Sequence, residues 1–276
     1  MFYNLSNHPH STWCENQIEC AKKWGEIEDV SFPPVNGSSS EKEVLDFAKE
    51  YVEKLHLTKD DAIMVVGEYT FIFSVIDKLL DLGINVVSSK SKVNVENFKN
   101  PDGSLGRNIN FTFLDFIPYQ RYTCESDGLV SSDLTSCQKK NIFLNCSFHY
   151  RSSEWGDAEK KAVDECVFCG QKNKQETEHA TIIDFPLTPF SECEEDRNLV
   201  IEKYLKEIAK ISPRVILLDG QFDTFFTMAD LLMKKGYKIV VKCSNRNVTE
   251  VKNPDGSSTK TTEYRFIKYR ELSRLK

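Results

Sequence analysis

The sequence predicts an α/β fold made of two similar domains, and three observations support this prediction. The chain has 276 residues, which is about two domains at roughly 150 residues each. Short apolar runs alternate with segments in which apolar residues recur at helical spacing, as in parallel sheets joined by helices. Residues 83–104 and 236–257 align without a gap, and eleven of these 22 positions are identical. A period above 100 residues indicates duplicated domains rather than a solenoid.

The first half contains the elements of one domain in chain order. Residues 62–66 form an unbroken apolar run, as expected for a parallel strand that is covered on both faces. Further strands are predicted at residues 2–6, 28–32, 84–88 and 111–116. Helices are predicted at residues 17–24, from a cap at Ser39 or Ser40 to Leu55, and at residues 70–82 before Gly83.

The second half repeats this order. Its elements are predicted at residues 142–147, 158–165, 181–185, 194–210, 215–219, 224–235, 237–241 and 263–269. Each half is therefore predicted to be a Rossmann-like, doubly wound parallel sheet. We expect domains at residues 1–119 and 141–276, a polar linker at residues 120–140, and an insertion in the second domain near residues 166–180.

Composition excludes several classes of protein. Hydrophobic residues make up 40% and charged residues 28%, so each half can fill a core. The net charge is -6, divided into -7 for residues 1–140 and +1 for residues 141–276. This balance argues against non-specific binding to long nucleic acids or anionic membranes. With no apolar run near the roughly 20 residues of a membrane span, no secretory signal and nine irregularly spaced cysteines, we expect a cytoplasmic protein with free thiols.

The first candidate site is the loop that follows the first strand of each half, because open α/β sheets bind ligands beyond the carboxyl ends of their strands. His8 and His149 lie in these polar loops and are the candidate acid–base residues. The neighbouring candidates for ligand binding are Ser6, Asn7, Trp13, Ser147 and Trp155. The competing interpretation makes Ser6 a cap and the two tryptophans anchors of a core.

Two further loops offer candidates for binding. Gly67, Glu68 and Thr70 follow the third strand, and Gly220, Gln221 and Asp223 are their equivalents. Glycine there allows a close approach of the backbone to a ligand, while Thr70 and Asp223 are equally well explained as helix caps. The loop predicted after the fourth strand supplies basic and polar groups for phosphate, namely Lys90, Lys92, Ser244, Asn245 and Arg246.

Several familiar sites are absent from the sequence. No G-x-G-x-x-G follows a predicted strand, so we expect no dinucleotide cofactor. Walker A, G-x-S-x-G and H-E-x-x-H sequences are also missing. Cys166 and Cys169 form a lone C-x-x-C, with His179 and Cys193 at non-standard spacing, so free or buried thiols are favoured over zinc and no metal is expected.

The opening run Phe2-x-Asn4-Leu5-Ser6-Asn7-His8-Pro9, with Trp13 and Gln17, resembles the start of CRISPR-associated Rossmann-fold (CARF-like) proteins and ring nucleases of type III systems. The runs at residues 66–70, 244–248 and 266–271 resemble the same family. The resemblance implies binding of cyclic oligoadenylate between two Rossmann units, with cleavage by a ribose 2′-hydroxyl and no metal. Two copies in one chain then form an intramolecular pseudo-dimer, as a two-fold symmetric ligand requires.

Three functions remain open from the sequence. The leading hypothesis is a ring nuclease that binds cyclic oligoadenylate and switches off type III CRISPR signalling, as a monomeric pseudo-dimer or a homodimer. The alternative is a non-catalytic sensor, sponge or scaffold, which the substitution of Gln221 for Glu68 favours. The third is an unrelated α/β enzyme that acts on a nucleotide or phosphosugar.

Overall fold

The computed structural model describes residues 1–99, 105–122, 139–147, 151–170, 179–190, 193, 196–252 and 258–275. The first repeat contains β1 (Phe2–Ser6), α1 (Glu15–Lys22), β2 (Ile27–Ser31), α2 (Glu41–Leu55), β3 (Ala62–Val65), α3 (Tyr69–Asp81), β4 (Asn85–Lys99) and β5 (Leu105–Pro118). The second contains β6 (Lys140–Asn145), α4 (Asp157–Val167), β7 (Thr181–Asp184), α5 (Arg197–Ile211), β8 (Pro213–Leu217), α6 (Phe222–Lys234), β9 (Lys238–Lys252) and β10 (Ser258–Glu271).

Each repeat forms its own five-stranded sheet. The strand orders are β2-β1-β3-β4-β5 and β10-β9-β8-β6-β7, so the second sheet repeats the topology of the first. Four strands of each sheet are parallel and the last is antiparallel. The predicted tandem Rossmann-like α/β fold is therefore confirmed. Strand order reverses between β1 and β3, and between β6 and β8, where open sheets place their ligand crevice.

Helices α3 and α6 pack against each other at the interface between the two repeats. Tyr69 packs on Phe222 at 5.4 Å between ring centroids, and Phe73 packs on Phe226 at 5.5 Å. In each pair the two residues are 153 positions apart in the chain, so they occupy the same position in the two repeats. Each residue therefore contacts its own equivalent in the other helix, at successive helical turns. This arrangement requires a pseudo-two-fold axis that is parallel to both helices. Both helices therefore begin at the same end, and the carboxyl ends of both sheets face the same side of the molecule.

The predicted third loop is wrong, because the chain continues there as a strand. Strand β4 runs on to Lys99 and pairs antiparallel with β5, and β9 pairs in the same way with β10. Lys90 faces Asp115 across a bulge in this ladder, and Lys92 faces Thr112. Ser244, Asn245 and Arg246 likewise lie within β9, opposite residues 266, 265 and 264 of β10. Interstrand hydrogen bonds satisfy the backbone beyond the parallel sheet, so each segment that was predicted to be a loop extends as half of a hairpin.

The helix caps agree with the prediction at α2 and differ from it at α3 and α6. Ser40 caps α2 in a capping box with Glu43, as predicted for one of the two candidate serines. Helix α3 instead begins one residue before Thr70, because the carboxylate of Glu68 accepts a hydrogen bond of 2.9 Å from the Phe71 amide. Asp223 is likewise inside the first turn of α6, whose N-cap residue is Gln221.

Residues at both ends of the predicted linker pack on the repeats. Arg121 forms ion pairs with both α3 and α6, and strand β6 begins at Lys140. Residues 123–138 of that linker and residues 171–178 of the predicted insertion lie outside the described residues. None of the helices in the described ranges is long and apolar enough to cross a membrane.

Candidate functional site

A cleft of about 390 Å³ lies beyond the carboxyl ends of β1, β2 and β3. Its lining combines polar side chains with an apolar wall and consists of Asn7, Phe32, Pro33, Pro34, Val35, Gly67 and Glu68. This volume falls within the roughly 300–1,000 Å³ of small-molecule sites. The cleft is therefore at the strand-order reversal of the first sheet. It brings together three residues that the sequence predicted as ligand-binding: Asn7, Gly67 and Glu68.

The loop after β1 is held by its own side chains. The Ser6 hydroxyl donates to the Asn4 Oδ1 at 2.7 Å and accepts from the His8 amide at 3.1 Å. The His8 carbonyl accepts from Asn4 and from the Trp13 indole. The His8 side chain is exposed, and no hydrogen bond joins its imidazole to the described residues. His149, its predicted counterpart, lies outside the described residues.

An Asn–Asp pair anchors this loop in both repeats. The Asn4 amide donates to Asp29 and the Asn145 amide donates to Asp184, each at 2.7 Å. The same carboxylates accept from the backbone amide of His10 and of Ser152 respectively. Burial raises the pKa of Asp184, but the hydrogen bonds from Asn145 and Ser152 outweigh it and lower the pKa below the usual 3.8. A charged aspartate therefore fixes where each loop after the first strand begins.

Replacing Asp184 with asparagine is expected to destabilise the protein most at neutral pH. Because the folded-state pKa is lowered, the stabilisation by the ionised carboxylate is complete above the unfolded pKa and is lost as pH falls through the folded pKa. Urea unfolding of the wild type and Asp184→Asn at pH 7 and pH 3 measures this change. If the difference in unfolding free energy between the wild type and Asp184→Asn grew toward pH 3, the ionised Asp184 carboxylate would not be the stabilising form.

Glu68 is bound to the second repeat by Arg270. The Arg270 Nη1 donates to Glu68 at 3.3 Å and to the Thr70 hydroxyl at 2.9 Å, and this hydroxyl donates to Glu68 at 2.6 Å. Arg270 is 3% exposed and belongs to β10. The predicted ligand residues Glu68 and Thr70 are thus positioned by a residue of the other repeat.

The Gly220 backbone contacts the first repeat. Its carbonyl accepts from the Tyr69 hydroxyl at 2.7 Å, and its amide donates to the same oxygen at 3.1 Å. The Gly220 backbone, which was predicted to approach a ligand closely, is therefore already hydrogen-bonded within the protein. In the first repeat, a Cβ at Gly67 would lie 2.1 Å from the Phe32 ring, so packing of this ring requires glycine.

Replacing Tyr69 with phenylalanine is expected to cost about 1–2 kcal/mol of unfolding free energy, because both Gly220 hydrogen bonds are lost. The equivalent residue is already Phe222, so the ring itself fits this position. Chemical denaturation measures the loss. Phe222→Leu, which keeps both hydrogen bonds, tests the contribution of ring packing alone. An unchanged unfolding free energy for Tyr69→Phe would show that water replaces the hydroxyl.

Asp223 is 1% exposed in the first turn of α6. Burial raises its pKa, and Arg197 and Lys90 oppose this increase. The nearest Arg197 nitrogen is 3.8 Å from its Oδ2, while its Oδ1 has no hydrogen-bond partner among the described residues. Lys90, predicted to neutralise phosphate, thus acts electrostatically on a carboxylate of the other repeat. Gln221 is half-buried and makes no side-chain capping bond.

The two predicted tryptophans pack in cores, as the competing interpretation expected. Trp13 contacts the rings of Phe2 and Phe116. Trp155 is 5% exposed and contacts Phe143 and Tyr269. Among the remaining predicted residues, Ser147 donates to Asp219 at 2.7 Å, Ser244 is half-buried, Asn245 is exposed, and the Arg246 side chain lies outside the described part.

The cysteines do not form a metal centre in the described ranges, where no three His, Cys, Asp or Glu side chains are grouped to bind an ion. Burial raises the pKa of Cys166 to about 11 and that of Cys243 to about 11, which keeps both thiols protonated. The His179 Nδ1 lies 2.7 Å from the carboxylate of Asp164 in α4, the helix that also contains Cys166.

Sequence reasoning missed Tyr69, Asp29 and Arg270 as residues that shape the site. Asp29 could have been found from the sequence. Both Asn4 and Asn145 lie on the first strand of their repeat, and each is paired with an aspartate on the second strand. Arg270 carried little signal, because its partners are about 200 residues away in the chain.

A family model described as "Uncharacterized protein MJ1673 family" matches residues 1–117 and 169–270. The two matched segments cover most of both repeats, and the description names no ligand or activity. No curated protein matches the sequence. Because the match covers more than half of the chain, this protein belongs to the MJ1673 family.

Proposed function

We propose that the chain binds cyclic oligoadenylate where the carboxyl ends of its two sheets meet, and cleaves it to switch off type III CRISPR signalling. The main support is the pseudo-two-fold axis between α3 and α6, indicated by Tyr69 against Phe222 and Phe73 against Phe226. A cyclic ligand with two-fold symmetry requires two similar half-sites facing one axis. The cleft at Asn7 and Glu68 supplies one of these half-sites.

The proposed cleavage needs no metal. A ribose 2′-hydroxyl loses its proton to solvent water, its oxygen attacks the adjacent phosphorus in line, a 2′,3′-cyclic phosphate forms, and the bond to the 5′-oxygen breaks. The leaving 5′-oxygen takes a proton, and His8 is the proposed donor because it follows the cleft residue Asn7 and its imidazole is exposed. His149 is proposed for the same role in the second repeat.

Incubation with cyclic tetra- and hexa-adenylate, followed by calorimetry and chromatography, tests this proposal. We expect binding and linear products, with a rate about 10²- to 10⁴-fold lower for the double variant His8→Ala/His149→Ala, because each histidine is proposed to serve its own half-site. His56→Asn is the matched control, since His56 ends α2 in a left-handed conformation that asparagine tolerates. Neither binding nor linear product from the wild type would refute the proposal.

A non-catalytic sensor or sponge is the second candidate. Unequal half-sites favour it: Glu68 caps α3 and pairs with Arg270, whereas Gln221 makes no capping bond at α6. Binding of cyclic oligoadenylate with no linear product after extended incubation would select this function over the ring nuclease.

A further inference from the structure

The cleft of the first repeat has an apolar wall and a polar edge. Phe32, Pro34 and Val35 contribute a ring and aliphatic surface, while Asn7 and Glu68 contribute an amide and a carboxylate. Sites of this kind hold flat apolar groups and read a few polar atoms at their edge. A purine base has this shape, with exocyclic and ring nitrogens along one side.

Glu68 retains one acceptor position. A carboxylate has about four lone-pair sites. Its described donors supply three hydrogens: the Thr70 hydroxyl, which lies 2.6 Å from both carboxylate oxygens, the Phe71 amide and one Arg270 nitrogen. The remaining site can accept from an exocyclic amine, and the amide of Asn7 can both donate to and accept from a base edge. These groups favour adenine over bases without an amine at the matching position.

The equivalent segment of the second repeat packs differently. Pro34 is exposed, but its counterpart Leu187 is 4% exposed and its amide donates to the Cys146 carbonyl. The Phe190 ring is buried in the core, and its amide donates to the Thr224 hydroxyl at 3.0 Å. In the second repeat this chain segment therefore contributes to the core instead of lining a cleft.

We infer that the cleft of the first repeat is a purine-base subsite that the described part of the second repeat does not reproduce. A cyclic oligoadenylate then places one adenine in this cleft, and the two repeats bind the ligand unequally. The ligand class rests on the proposed function, whereas the subsite rests on Asn7, the 32–35 wall and Glu68.

Titration with adenosine monophosphate, without any cyclic ligand, tests the subsite. We expect one saturable site per chain, and about tenfold weaker binding of uridine monophosphate, whose base has a carbonyl in place of the amine, which corresponds to loss of about one good hydrogen bond. Val35→Trp fills the cleft and is expected to weaken binding at least about tenfold. Thr188→Trp, at the equivalent position of the second repeat, is the matched control and should bind as the wild type does.

If Val35→Trp misfolds, Asn7→Ala tests the same cleft, because Asn7 is exposed and its truncation leaves the core intact. Two equal sites per chain, equal loss in Thr188→Trp, or equal binding of both nucleotides would overturn the inference. Cyclic tetra-adenylate binding that Val35→Trp leaves unchanged would overturn the subsite while the proposed function stands. Monophosphate binding in the cleft, with no binding of any cyclic oligoadenylate, would support the subsite and refute the proposed function.

Discussion

Replacing Arg270 with methionine is expected to destabilise the protein by about 3 kcal/mol, at the low end of the range for a broken buried ion pair. All five N–H groups of this side chain are used. Two donate to Glu68 and Thr70, and three donate to the carbonyls of Asn36, Gly37 and Ser39. Methionine fills similar space but leaves the partly buried Glu68 carboxylate without its cation. Water can reach the exposed loop carbonyls, which limits the loss.

Urea unfolding of Arg270→Met against Lys268→Met measures this effect. Lys268 also donates to the carbonyls of Ser38 and Ser39, but it is only half-buried and contacts no carboxylate there. We expect the Lys268 variant to lose less than about 1 kcal/mol. Equal losses would show that Arg270 acts only through the loop carbonyls and not through Glu68.

The sequence predicted the fold well because its strongest signals are local or repeated. The apolar run before Gly67 could only be a covered strand, and helix α2 follows the spacing of Val44, Ala48 and Val52. The repeat then supplied the second sheet by analogy. These signals do not depend on contacts between distant parts of the chain.

The predicted loop at Lys90 was wrong because the hairpin depends on a partner strand rather than on local propensity. The five consecutive polar residues 88–92 of β4 indicated a loop, yet pairing with β5 satisfies their backbone groups. Thr70 was a reasonable N-cap by residue type, but Glu68, two residues earlier in the chain, accepts from the Phe71 amide and becomes the N-cap of α3. Longer side chains at such positions allow more than one cap.

Part of the candidate site was predictable because strand order determines where the loops meet. Asn7, Gly67 and Glu68 follow the two strands that flank the reversal, and all three line the cleft. The residues that hold them in place could not be found in this way. Tyr69 reaches Gly220, and Arg270 reaches Glu68, across an interface that only the packing of α3 on α6 creates.

Replacing both Asp77 and Asp230 with asparagine is expected to separate the two repeats near the C-terminal ends of α3 and α6. These equivalent carboxylates are 3% and 1% exposed, and both accept from Arg121 and from Arg274, which are themselves equivalents. Each repeat thus contributes one arginine and one buried aspartate to a single cluster, at whose edge Asp81 and Lys234 form further ion pairs. Either aspartate can still serve both arginines when the other is gone, so each single asparagine variant is expected to cost about 2 kcal/mol.

The double variant is expected to cost more than the sum of the singles, by about 1 kcal/mol or more, because two adjacent guanidinium groups then share no buried carboxylate. Urea unfolding of the wild type, both singles and the double gives this coupling directly. Asp81→Asn is the matched control: Asp81 also pairs with Arg121 but is 54% exposed, so its loss should cost under about 1 kcal/mol. Strict additivity of Asp77→Asn and Asp230→Asn would mean that each aspartate serves its own arginine, and that the cluster does not couple the two repeats.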